Sequence, residues 1–211
     1  MTSFDPPHDC GRCVRLRDFR NDNISSHPDW FNGPVPVWGD RDAAVAIIGL
    51  APGLKGANRI GRPFTGDYAG DLLFQTLLKL GLAHGEYLAS ADDTLSLKKT
   101  VIINAVRCVP PQNKPTGPEI ANCRPFLNAA LDAHPKVRLI LALGRIAHES
   151  VLSGLGERRA SFPFAHGARH QLDRMVLYDS YHCSRYNTNT GRLTAEMFES
   201  VVADLAREAL A

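Results

Sequence analysis

Three groups of residues in this chain are of types that do chemistry. Residues 49–73, GLAPGLKGANRIGRPFTGDYAGDLL, hold six glycines and two prolines and embed Arg62, Phe64 and Asp67. Glycines permit positive φ and let a ligand approach the backbone, while the three side chains offer a charge, an aromatic face and a carboxylate. Asn104 in INAVRC and His182 with Ser184 in YDSYHCS stand where two further apolar runs end. The third group is sulfur: Cys10 and Cys13 are separated by two residues, Cys108 and Cys123 by fourteen. Four thiolates suit a tetrahedral zinc ion or an iron–sulfur cluster, and either would staple the N-terminus to the body. Cys183 is left over beside His182, but neighbours on an extended chain point to opposite faces, which disfavours a Cys–His nucleophile.

These residues need a scaffold that gathers them. The glycine-rich stretch leaves the apolar run AVAIIGL and enters a helical pattern at DLLFQTLLKLG, which reads as strand, loop, helix. Further strands are expected over 100–106, along VRLILALG and over 174–178. Helices are expected over 70–80, from Thr116 to about 133, over 145–152 and after Thr194, with Phe198, Val201, Val202 and Leu205 on one face. Thr116 with Glu119 forms a capping box signature, and Pro118 sits in the first turn. Strands alternating with helices imply an α/β fold with a mostly parallel sheet covered on both sides, and ligands of such sheets bind beyond the carboxyl ends of the strands. The expected domain is single and spans 1–211. Residues 1–42, punctuated by Pro6, Pro7, Pro28, Pro34 and Pro36, read as an irregular segment tied down by the metal.

Composition narrows the function. The net charge is only +2, yet 18 arginines stand against 6 lysines, and Arg12, Arg15, Arg17 and Arg20 are close together. Arginine's planar fork matches phosphate oxygens, which makes nucleic acid a reasonable partner. The loop lacks the G-K-[ST] of a P-loop and the G-x-G-x-x-G spacing of dinucleotide folds. No apolar run reaches the roughly 18 residues that span a bilayer, and MTSFDPPHDC carries no signal-peptide core, so no membrane and a cytoplasmic location are expected. In a reducing compartment five cysteines point to metal or chemistry rather than disulfides.

Taken together, GLAPG with GRPFTGD, INAVRC, the four cysteines, LALGRIA and SYHCSRYNTNTGRLT resemble the uracil-DNA glycosylase superfamily, most closely its family 5 or type B enzymes. The match runs in the family's order over nearly the whole chain. It implies a three-layer α/β/α sandwich with a central four-stranded, mostly parallel sheet and a [4Fe–4S] cluster on Cys10, Cys13, Cys108 and Cys123. It implies a DNA-repair enzyme that hydrolyses the N-glycosidic bond of uracil, and of other deaminated or damaged bases, in single- or double-stranded DNA. A monomer is expected.

Carried over to this chain, the resemblance assigns roles. Gly49, Ala51 and Gly53 give backbone and space, Phe64 stacks under a base extruded from the duplex, and Asn104 reads its edge. His182 donates to the departing base anion, and Asp67 positions water and faces the cationic sugar. Asp71, at the start of the helical pattern, is the rival for that task. Ser184, Arg185, Asn187 and Arg192 lie on the loop that meets DNA. Many relatives have His-Pro-Ser where this chain has His182-Cys183-Ser184, a softer turn. Two other readings compete: a non-catalytic iron–sulfur nucleic-acid-binding or redox-sensing protein on the same fold, and a small-molecule hydrolase with structural zinc.

Overall fold

The structure, a computed structural model, describes residues 4–211. The elements in chain order are α1 (Val14–Ser26), β1 (Trp38–Gly39), β2 (Val45–Gly49), α2 (Ala57–Ile60), α3 (Tyr68–Lys79), β3 (Ala83–His84), β4 (Ser96–Leu97), β5 (Thr100–Asn104), α4 (Gly117–Asp132), β6 (Leu139–Leu143), α5 (Arg145–Gly154), β7 (Arg169–Gln171), β8 (Val176–Ser180), α6 (Arg185–Asn189) and α7 (Ala195–Leu210). The main sheet has the order β1-β5-β2-β6-β8-β7. Its four central strands are parallel, and the short β1 and β7 add antiparallel edges, so the expected four-stranded sheet is the core of a six-stranded one.

Every residue of β2, β5, β6 and β8 is buried, which is why these strands read as unbroken apolar runs. Alternate side chains feed opposite layers. Val45, Ile47, Ile102, Leu139 and Leu141 pack with Leu73, Phe74 and Leu77 of α3 and with Phe198, Val202 and Leu205 of α7. Ala46, Ile48, Val101, Ile103, Ile140 and Ala142 pack with Leu127 and Leu131 of α4 and Val151 and Leu152 of α5. The result is helix, sheet, helix. The capping box is present on α4: Thr116 Oγ1 accepts from Glu119 N, and a Glu119 carboxylate oxygen accepts from Thr116 N.

Two expectations are corrected. The segment 1–42, of which residues 1–3 lie outside the described residues, is not irregular throughout, since α1 occupies thirteen of its positions. Its buried stripe is Leu16, Arg20 and Asn23, spaced four and three apart but mostly polar, so no hydrophobic periodicity announces the helix. The strand expected over 174–178 lies two residues later, because its last members, Asp179 and Ser180, are polar yet fully buried.

Arg62 also departs from the open loop position that the sequence suggested. Its guanidinium makes two hydrogen bonds of 2.7 Å to the Asp93 carboxylate, lies over the Trp38 ring and sends Nε to Thr65 Oγ1 at 2.7 Å. Both side chains of the pair are buried. Arg62's hydrogen bonds hold the Asp93 carboxyl well below the usual carboxylate range, at about 2, against the opposing effect of burial. A depressed folded-state pKa contributes stability that is present above the unfolded value and lost as pH falls through the folded one. Stability should therefore drop by about 2 kcal/mol between about pH 4 and pH 2 through this group. In denaturant titrations that component should be missing from Asp93→Asn, which should be less stable than the parent at neutral pH.

Candidate active site

Parallel pairing places Gly49, the last residue of β2, opposite Asn104, the last of β5. The pairing continues one step beyond the strands, with Ala105 N donating to Gly49 O and Val106 N to Leu50 O. A Cβ built on Gly49 would lie 2.5 Å from Asn104 Oδ1 and 2.7 Å from Cε2 of Phe64. Glycine is required there so that both side chains can close over the strand ends. Phe64 itself has φ 56°, a left-handed conformation that costs a non-glycine residue about 1–2 kcal/mol. Its turn is held by the Arg62 bond to Thr65 and, from the other side, by α3: a Cβ on Gly70 would lie 1.6 Å from Phe64 O.

Asp67 is the N-cap of α3, with Oδ1 accepting from Gly70 N at 3.2 Å. Its other oxygen, Oδ2, faces the backbone of Gly53 and Gly56, where an added Cβ would come within 2.9 and 2.7 Å. Asp71 stands exposed in the first turn of α3, away from the cleft wall. His182 follows β8 and lies near-parallel to Phe64, with ring centroids 5.9 Å apart and planes 25° apart. Burial pushes the His182 imidazole below the ordinary histidine range, and the Asp67 carboxylate works against that shift. Burial thus favours the uncharged ring, which keeps an N–H to donate. Cys183 faces the other way, into the core, with Sγ donating to Ala69 O at 3.4 Å, and burial raises its thiol pKa.

One cleft of about 580 Å³ at the carboxyl edge of the sheet gathers Ala51, Gly53, Phe64, Asp67, Asn104, His182, Ser184 and Arg185. Gly49 backs it from beneath. Asn187 is turned inward, donating from Nδ2 to His182 O at 2.8 Å, and Ser184 caps α6. Arg192 lies over the Tyr181 ring, 4.4 Å from its centroid. Reading the sequence missed Lys55, Tyr68 and Asn113, which also line the cleft, and Tyr186, 73% exposed on α6. Lys55, Tyr68 and Tyr186 lie inside stretches that the sequence marked, but nothing in their spacing singled them out from their neighbours, and Asn113 lies in the proline-rich loop outside those stretches.

The four cysteines Cys10, Cys13, Cys108 and Cys123 line one cavity with Leu16, Val106 and Phe126. Three N–H groups point at sulfur: Arg107 N to Cys123 at 3.3 Å, Arg20 Nη1 to Cys108 at 3.7 Å and Asn122 Nδ2 to Cys13 at 3.7 Å. Burial pushes the Cys108 thiol up to about 12 and Cys123 up to about 11, so the bare thiols resist ionisation until positive charge arrives. Arg107 is fully buried beside them, and its Nε and Nη2 have no hydrogen-bond partner among the described residues. Among those residues the one set of three metal-ligating groups mutually within 4.8 Å is His148, His170 and Asp179, so no three of the cysteine sulfurs are that close. A zinc tetrahedron with Zn–S near 2.3 Å would draw all four to within about 3.8 Å.

Comparison with known proteins bears on what this arrangement does. A family model described as the uracil DNA glycosylase superfamily matches residues 36–206. A "Type-5 uracil-DNA glycosylase" of Thermus thermophilus is 42% identical over 205 residues, covering 94% of this chain and 93% of its own. One of the same name from Pyrobaculum aerophilum is 40% identical over 204 residues, 95% of this chain and 89% of its own. A "Type-4 uracil-DNA glycosylase" of Sulfurisphaera tokodaii is 30% identical over 176 residues, 79% of this chain and 72% of its own.

The close approach of α3 to the Phe64 turn can be tested directly. Gly70→Ala should cost about 3 kcal/mol, the upper end for overpacking, because the obstructing atom is a backbone carbonyl that cannot rotate away. Equilibrium denaturation measures it.

Proposed function

The chain belongs to the uracil-DNA glycosylase superfamily, and from that membership we infer its chemistry. It is a DNA-repair enzyme that removes uracil from DNA by hydrolysing the N-glycosidic bond, which leaves an abasic site. This sets aside the non-catalytic and zinc-hydrolase readings. The observation that carries the residue assignments is the convergence of an aromatic ring, an amide, a carboxylate and a neutral imidazole on one cleft.

The target nucleotide must leave the duplex, and the pocket recovers that cost by stacking and hydrogen bonding. Phe64 takes the base on its face, an interaction worth about 1–3 kcal/mol. Asn104, braced over Gly49, pairs its amide with the complementary edge of uracil. As the bond breaks, negative charge grows on the base and positive charge on the sugar. The neutral His182 gives an N–H to the anion without having to surrender a proton first, and Asn187 holds its carbonyl. Asp67 keeps Oδ2 for the water and the cationic sugar, while its helix-capping bond through Oδ1 fixes the carboxylate's direction.

Ser184 and Arg185 at the cleft mouth, together with Asn187, Arg192 and the exposed Tyr186, form the DNA-facing loop. Cys10, Cys13, Cys108 and Cys123 hold a [4Fe–4S] cluster: their spread exceeds a single-zinc tetrahedron, and the Arg20 guanidinium and the Arg107 backbone N–H face Cys108 and Cys123, where they would stabilise thiolate ligands. When bound, the cluster supplies a cross-link between the N-terminal segment and the loops after β5.

Asp67→Asn should lower single-turnover uracil excision by about 10²–10⁴ while affinity for abasic-site DNA is kept. Oligonucleotide cleavage after alkali and a binding titration read the two quantities, and a near-parental rate would move the water to another group. Cys108→Ser should lose the broad visible absorption of the cluster and melt at a lower temperature. Optical spectroscopy and thermal denaturation of the purified variant check this, and an unchanged spectrum would exclude Cys108 as a ligand.

A further inference from the structure

A second polar cluster lies behind the cleft and belongs to none of the steps above. His148 of α5, His170 of β7 and Asp179 of β8 converge, with His148 and Asp179 buried and His170 nearly so. His148 Nδ1 is 2.7 Å from Asp179 Oδ1, His170 Nε2 is 3.1 Å from Oδ2, and His148 Nε2 is 2.9 Å from the carbonyl of Phe162. A carbonyl only accepts, so His148 Nε2 carries a hydrogen. Its Nδ1 therefore faces a carboxylate oxygen at 2.7 Å, a distance that requires one proton between them. His170 Nε2 meets the other oxygen, so one buried carboxylate bridges two rings carried by neighbouring elements.

This buried His148–Asp179 hydrogen bond joins the two elements that adjoin His182. Asp179 lies three residues before it on the same strand. His148 lies in the first turns of α5, where His148 N bonds Gly144 O and Gly144 N bonds Ser180 O at 2.8 Å. A Cβ built on Gly144 would be 3.6 Å from the His182 Cβ. The pair thus ties the start of α5 to the end of β8, next to the backbone that carries His182. A buried polar pair of this kind is a poor source of net stability, but it admits few alternative geometries.

We propose that Asp179, acting through its hydrogen bond to His148, is a positioning residue that sets the placement of His182 for attack on the glycosidic bond. The inference rests on the role assigned to His182 above. Small displacements of a catalytic group cost about 10²-fold in rate without a matching loss of binding.

The test measures single-turnover excision and DNA affinity for Asp179→Asn, for the double variant His148→Gln/Asp179→Asn, and for His182→Ala in parallel. The Asp179→Asn rate should fall about 10–100-fold with affinity for uracil-containing DNA unchanged. The double variant, in which two amides can hydrogen-bond in place of the original pair, should recover much of that loss and stands in if the single variant does not fold. An inactive His182→Ala beside a folded Asp179→Asn of parental rate would sink this proposal alone; an active His182→Ala would instead overturn the role of His182. Loss of rate and affinity in step with melting temperature, with no recovery in the double variant, would reduce the cluster to general stability and overturn the proposal. So would metal analysis that found, besides iron, one divalent cation per chain lost in His170→Ala, because a cation would then occupy the place given to the proton.

Discussion

The site is built over a single register: Gly49 beside Asn104 at the carboxyl ends of two parallel strands. Because the first has no side chain, the amide of the second and the ring of Phe64 can both lean across the sheet edge within contact of each other. A methyl group at Gly49 would force one of them away. The ring's approach also depends on a strained turn at Phe64, which persists because the surroundings over-determine it: Arg62, locked on Asp93, grips Thr65 on one side, and the first turn of α3 presses on the carbonyl from the other. The buried ion pair, remote from the cleft in function, is thus a support for the stacking face.

The same economy appears around the N-terminal segment. Asn32 donates to the carbonyls of Asn23 and His27 at the end of α1, and its Oδ1 accepts from Asn58 in the glycine-rich loop. Backbone bonds from Phe31 and Asn32 to Arg59 and Asn58 complete the seam. Ala51 packs with Leu16, Val106 and the cysteines on one side and lines the cleft on the other. The sulfur site and the cleft therefore share a wall. Whatever fixes the cysteines also fixes the path of the glycine-rich loop that lines the cleft.

Charge is distributed by burial rather than by number. With a net charge of +2 the protein has no strong overall field, so attraction to DNA must come from local groups such as Lys55 and Arg185 at the mouth. Other cations are spent on ion pairs within the fold: Arg62 on Asp93, Arg15 on Glu119, Arg107 on Asp5. The arginine excess visible in the composition is therefore partly structural, and its planar, multiply donating head explains why arginine rather than lysine fills the buried positions of Arg62 and Arg107.

The central strands, the capping box on α4, the last helix and the sulfur ligand candidates were legible in the sequence, because apolar runs, caps and repeated cysteines are local signals that survive without a partner. α1 was not legible, since polar contacts hold its buried face, and neither was the end of β8, where Asp179 and Ser180 are buried by hydrogen bonding. The types and order of Phe64, Asp67, Asn104 and His182 were determined by the sequence alone. Tertiary structure decided that Asp67 rather than Asp71 lines the cleft, that Arg62 turns away from it, and that His148 and Asp179 meet between α5 and β8. Those outcomes depend on which strand ends are neighbours and what each side chain must desolvate to reach its partner, and neither quantity is carried by residue spacing.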